Sequence, residues 1–109
     1  MAYSESLARR IRQVFARRCV ITEKKMPGGV GFLLHGNMCV GVSQNSLIVR
    51  LGAEQADAAR RQPNVVEFDV AGRPLKSWVM VEAEGIETDE QLNGWIERAV
   101  EFVESLPRK

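Results

Sequence analysis

Residues 20–51 read VITEKKMPGGVGFLLHGNMCVGVSQNSLIVRL, and the period of the apolar residues in this stretch decides the fold. Val30, Phe32 and Leu34 alternate with their neighbours, as do Met38, Val40 and Val42, and then Leu47, Val49 and Leu51. A period of two marks three strands, and a fourth is expected around Val20 to Met26. Gly36-Asn37 reads as a two-residue hairpin connection, with Ser43-Gln44-Asn45-Ser46 as a looser second turn. Links this short cannot carry the crossover that parallel pairing needs, so the strands form an antiparallel meander.

On either side of this stretch the period changes to that of a helix. From Ser4 to about Arg18, Leu7, Ile11, Val14 and Phe15 form one apolar stripe. Ser4 suits the N-cap, Glu5 the positive end of the helix dipole, and Arg17 and Arg18 the negative end. Beyond Gly52, Ala53 to Arg61 is rich in helix formers until Pro63. Val65 to Val70 is extended, Ala71-Gly72-Arg73-Pro74 is a turn, and Leu75 to Glu82 is a strand centred on Trp78 to Val81. Thr88 and Gln91 form a capping box for a last helix. Its apolar face carries Leu92, Trp95, Ile96, Ala99, Phe102, Val103 and Leu106, with Trp95 and Phe102 as core anchors. Glu97, Glu101 and Glu104 face solvent, and Pro107 ends the helix.

A length of 109 residues, 45% hydrophobic and 27% charged, is expected to make one domain spanning residues 1–109. Such a chain has a radius of gyration near ~13 Å, too small for a doubly wound nucleotide fold or a barrel. The net charge of +1 conceals an asymmetry. Residues 1–25 hold seven basic and two acidic groups, whereas residues 82–109 hold three and eight. Five arginines, Arg9, Arg10, Arg12, Arg17 and Arg18, ring the solvent side of the first helix and do not line up. That arrangement reads as a solvated face, with a phosphate track as the alternative. Cys19 and Cys39 stand twenty residues apart with His35 the only histidine, so zinc is not expected. With no apolar run long enough for a leader or a membrane span, a cytoplasmic protein with reduced thiols is expected.

Three places invite chemistry. Glu23-Lys24-Lys25-Met26-Pro27-Gly28-Gly29 leads two lysines into two glycines, which reads as an anion-binding loop or as a tight strand connection. In Gly72-Arg73-Pro74-Leu75-Lys76-Ser77-Trp78, Arg73 can pair an anion beside Trp78 as a pocket wall, or the run is a surface turn leading to a core tryptophan. Cys39 and His35 are hairpin neighbours with no third orienting group, so no catalytic site is assigned. The carboxylates of the last helix have the pattern of solvation.

Taken in order, Glu23-Lys24-Lys25-Met26, Gly28-Gly29, Phe32, Gly36-Asn37-Met38, Leu47-Ile48-Val49-Arg50, Gly52, Gly72-Arg73-Pro74-Leu75-Lys76 and Trp78-Val79 resemble the signature of the TfoX/Sxy N-terminal domain family. The resemblance implies an α+β fold of two layers, an antiparallel sheet of about five or six strands covered by helices in the order α-β(3-4)-α-β(1-2)-α, similar to secretion chaperones. Longer family members regulate natural competence with a cyclic-AMP receptor protein at promoters and carry a further C-terminal domain. This chain is expected to be a stand-alone member. It departs from the family at Pro27, where an aromatic residue is usual.

The expected function is therefore that of a cytoplasmic, non-enzymatic regulatory or protein-interaction domain related to transcription regulation, without cofactor, metal or membrane contact. Its candidate interaction or anion-binding surface comprises Lys24, Lys25, Gly28, Gly29, Arg50, Arg73, Lys76 and Trp78. The expected partners are a protein of transcription regulation and a second copy, through free sheet edges. Weak nucleic-acid binding by the basic N-terminal third is the alternative.

Overall fold

Helix α1 (Glu5–Ala16) is followed by four strands, β1 (Thr22–Met26), β2 (Gly29–Leu34), β3 (Asn37–Ser43) and β4 (Ser46–Arg50). Helix α2 (Ala53–Ala59), strands β5 (Val65–Val70) and β6 (Arg73–Val81), one 3-10 turn and helix α3 (Asp89–Glu104) complete the chain. The computed structural model describes residues 3–17, 21–26 and 28–108. Expectations for Arg18, Cys19, Val20 and Pro27 lie outside the described residues.

The six strands form one antiparallel sheet in the order β1-β2-β3-β4-β6-β5. The α+β class, the strand number and the meander of the first four strands are those expected from sequence. The turns are placed differently. Leu34 pairs with Asn37, so the hairpin turn is His35-Gly36, one residue earlier than Gly36-Asn37. Both turn residues have positive φ, 54° and 84°, the geometry that matches the twist of the flanking strands. Ser43 pairs with Ser46, which makes the second turn a tight Gln44-Asn45 and not a loose one. Likewise Val70 pairs with Arg73 around Ala71-Gly72, so Arg73 and Pro74 belong to strand β6.

One face of the sheet carries the core. Leu7, Ala8, Ile11 and Phe15 of α1, Ala56 and Ala59 of α2, and Leu92, Ile96, Ala99 and Val103 of α3 pack with Val30, Phe32, Val40, Val42, Leu47, Val49, Val79 and Val81. Each of these strand residues lies opposite another across the register, as in Phe32 with Val40 and Val49 with Val79. All three helices therefore cover the same side. Ser4 caps α1 by accepting from the Leu7 amide, and Thr88 and Gln91 close a reciprocal capping box on α3. Trp95 is buried as expected, but Phe102 is only half-buried, because its ring lies over Gly52 at the margin of the core. Val100, one helical position from Trp95's stripe, is buried instead. The radius of gyration is 12.6 Å, and no helix is long and apolar enough to cross a membrane.

Candidate interaction face

The strand register shows what lies on the side of the sheet away from the helices. Lys24 of β1 pairs with Gly31, Gly31 with Gly41, Gly41 with Ile48, Ile48 with Met80, and Met80 with Val66. This row crosses all six strands, and none of its residues belongs to the helix-side core. Ile48 is nonetheless 5% exposed, covered by its neighbours on the open side. A second row pairs Leu33 with Met38. Gly31 and Gly41 leave a depression that the methionine thioethers fill. A Cβ on Gly31 would come 2.9 Å from the Met26 Cε and 3.0 Å from the Met38 Cε, and one on Gly41 would come 2.9 Å from the Met38 Cε. Among the described residues, no helix covers this face.

At the end of β4, Arg50 stands opposite Trp78 in the register. Its guanidinium carbon lies 5.4 Å from the Trp78 ring centre and 6.0 Å from that of Phe102, within the range of cation–π attraction. The Arg50 Nη1 donates to the Met38 carbonyl at 3.3 Å, while its buried Nε has no hydrogen-bond partner. Trp78 also meets Phe68 of β5, with ring centres 6.2 Å apart. Gly52 follows at φ 85° and ψ 155°, a conformation essentially confined to glycine. The end of the sheet is thus closed by Arg50, Trp78, Phe102 and Phe68 around a glycine.

The eight residues of the sequence-derived surface are not all brought together. Arg50 and Trp78 meet, but Lys24 and Lys25 lie on β1 at one edge and Arg73 and Lys76 on β6 near the other, with β2, β3 and β4 between them. At about 4.8 Å per strand, β1 and β6 are separated by roughly 19 Å. Lys24 and Lys25 also point to opposite faces, because they pair with Gly31 and Val30. The two glycines have different duties. Gly28 takes φ 79° in the exposed turn, whereas Gly29 is buried between β1 and β3, where a Cβ would strike the Val42 carbonyl. Gly29 is glycine for close packing of strands, not for cradling an anion.

Much of the basic charge of α1 is turned inward on the molecule. Arg12 forms a two-pronged pair with Glu23, Nε to Oε2 at 2.6 Å and Nη2 to Oε1 at 2.9 Å, tying β1 to α1. These bonds hold the Glu23 carboxyl below the usual carboxylate range and raise the Arg12 guanidinium. Arg10 lies 3.5 Å from Asp89, linking α1 to the start of α3. Arg9 and Arg17 are exposed.

Other features are structural or shallow. Cys39 is fully buried in β3 and His35 occupies the hairpin turn. Asn37 is the buried polar residue among those described, and its amide donates to the Pro107 carbonyl at 2.9 Å, fastening the end of the chain to the hairpin. An open cleft of about 440 Å³ lies between the residues before β5 and α3, with Asn64, Gly94, Trp95 and Arg98 on its walls. Among the described residues, no group of three His, Cys, Asp or Glu side chains gathers to hold a metal.

The open apolar face was missed by the alternation argument, although a signal for it existed. Gly-Val-Gly-Phe-Leu-Leu in β2 and Leu-Ile-Val in β4 are apolar at successive positions, as expected of strands with apolar groups on both sides. The Arg12–Glu23 pair had no local signal, because eleven residues and a turn of chain separate the partners.

No curated protein and no solved structure matches the chain. The model of the TfoX N-terminal domain matches residues 13–103, a span that includes the Arg12-anchored strand β1, the hairpins, the Arg50–Trp78 cluster and nearly all of α3. That span covers most of the 109 residues, and the chain belongs to the TfoX N-terminal domain family.

Proposed function

We propose that this domain is a non-enzymatic protein-interaction module of the cytoplasm that serves transcription regulation, the role implied by its resemblance to the TfoX/Sxy competence regulators. The observation that carries this reading is the helix-free face of the sheet. Its centre is formed by the half-buried Leu33, Met38 and Met80 around the buried Ile48, with the exposed Val66 beside Met80, and no helix lies over them among the described residues. An apolar surface of this kind on a small domain marks a place where another molecule sits. Methionines favour this use, because the unbranched thioether side chain adapts to the surface it meets.

Site-specific photo-crosslinking in cells tests the proposal. A photoreactive residue placed at Met38 or Met80 reports on the open face, and one at Gln55 or Glu101 reports on the exposed sides of α2 and α3. A discrete protein adduct from the open-face positions, absent from the helix positions, is expected. Adducts to nucleic acid, or equal adducts from both sides, would overturn the reading.

A further inference from the structure

Helix α3 contains a glycine that no contact among the described residues requires. Gly94 stands inside the helix and is exposed, its φ is not positive, and a Cβ built on it would meet nothing within 4 Å. Glycine weakens a helix interior relative to alanine. What the missing side chain leaves open is the cleft of about 440 Å³ between α3 and the residues before β5. Four residues to either side of Gly94 are Glu90 and Arg98, the charged residues of the cleft lining among those described. At this spacing the three lie on one side of the helix, so a carboxylate and a guanidinium flank a stretch of bare backbone. Trp95 adds an aromatic wall, with the Arg98 guanidinium carbon 4.6 Å from its ring centre. Gln62 and Asn64 bring side-chain amides from the other side of the cleft, each able to donate and to accept.

We infer that this cleft binds a short peptide of about three residues with both ends free, its ammonium at Glu90, its carboxylate at Arg98 and its middle laid over Gly94. The spacing of the charges sets the length. Eight helical residues place the Glu90 and Arg98 Cα atoms about 12 Å apart along the axis, and an extended tripeptide spans about 10–11 Å. Opposite charges at the two ends select a ligand with one charge of each sign and disfavour a polyanion, which would set a like charge against Glu90. An extended peptide has no internal hydrogen bonds, so its amides call for the donors and acceptors that Gln62 and Asn64 supply. The cleft volume falls within the ~300–1,000 Å³ range of small-ligand sites. Because the ligand crosses the helix backbone at residue 94, a side chain there would stand in its path, which is the use of glycine where a backbone and a ligand come close. Helix α3 packs on the other side of the sheet from the helix-free face, so this site and the interaction reading above do not depend on one another.

Calorimetric titration of the full chain with trialanine tests the inference. Saturable binding in the millimolar range is expected. Amidation of the carboxyl end and acetylation of the amino end are each expected to weaken it about two- to fivefold, the range that one exposed ion pair supplies. Pentaalanine is too long to set both ends on the two charges, and is expected to bind no better than trialanine blocked at one end. Arg98→Gln is expected to erase the difference between trialanine and its amide while keeping the difference between trialanine and its acetylated form, and Glu90→Gln to do the reverse. Gly94→Ala is expected to raise the unfolding temperature and to weaken trialanine binding about fivefold or more, because the added methyl enters the cleft. That opposition separates a binding role from a structural one, and a stabilised Gly94→Ala protein that binds trialanine as before overturns the inference. So does the absence of saturable binding, equal binding of free and blocked tripeptides, a preference for pentaalanine, or tighter binding of adenosine diphosphate than of trialanine.

Discussion

Gly52→Ala would impose two separable costs at the junction of β4 and α2. The first is conformational. Gly52 has φ 85° and ψ 155°, where a side chain costs about 1–3 kcal/mol. The second is steric, because the new Cβ would lie 2.6 Å from Cε1 and 2.9 Å from Cδ1 of Phe102. Forcing a carbon into such a space typically costs about 1–3 kcal/mol. Together they amount to roughly 2–6 kcal/mol, a large share of the ~5–15 kcal/mol that stabilises a domain of this kind. In a Phe102→Ala background the ring is gone, and only the conformational cost of about 1–3 kcal/mol remains for Gly52→Ala. Urea denaturation of the four proteins, with the slope checked for constancy, gives the cycle. The expected coupling is about 1–3 kcal/mol, the double variant being more stable than the sum of the singles predicts. Costs that add to within about 0.5 kcal/mol would show that the ring yields freely, and would refute the packing account of this corner.

Three further outcomes follow from other positions. Gly94 lies inside α3 and is exposed, with nothing within 4 Å of an added Cβ, so Gly94→Ala is expected to raise stability by about 1 kcal/mol in thermal or urea unfolding. Asn37→Ala removes the amide that donates to the Pro107 carbonyl, and is expected to cost about 1 kcal/mol and to speed amide exchange at the C-terminal end of α3. The Glu23 carboxyl is held low chiefly by its hydrogen bonds from Arg12, so the pair stabilises the fold above the unfolded carboxylate value near ~4.3. That contribution disappears as the pH falls through the lower folded value. With the Arg12 and Glu23 side chains 40% and 36% exposed, it is worth no more than about 1 kcal/mol, and Glu23→Gln is expected to flatten this acid limb of the stability curve.

The fold was legible wherever local physics fixes it. The capping box at Thr88, the stripe of α1 and the alternation of Val30, Phe32 and Leu34 each report their own element directly. Hairpin turns were located to within a residue or two, because glycine marks a turn without saying which of its neighbours shares the positive φ; His35 and Ala71 took that place. The candidate surface was legible only in part. Arg50 and Trp78 meet because β4 and β6 are neighbours, which becomes visible only once the chain has crossed through α2 to place β6 beside β4. Lys24 and Lys76 are kept apart by the same topology. The second apolar face was present in the near-continuous apolar runs of β2 and β4. A search for alternation assigns such runs to the core and overlooks the residues between.

The open face contains its own reporters, since Met26, Met38 and Met80 carry methyl groups in or beside the Gly31–Gly41 depression. The most direct measurement is the methyl spectrum of protein labelled with carbon-13 at the methionine methyls, recorded during titration with the protein captured by crosslinking at Met38 or Met80. Saturable shifts of the Met26, Met38 and Met80 signals, with the backbone amides of α1 unmoved, are the result predicted for docking on this face. Unmoved methionine signals together with shifted amides at Arg9 and Arg17 would contradict it, and would transfer the interaction to the basic first helix.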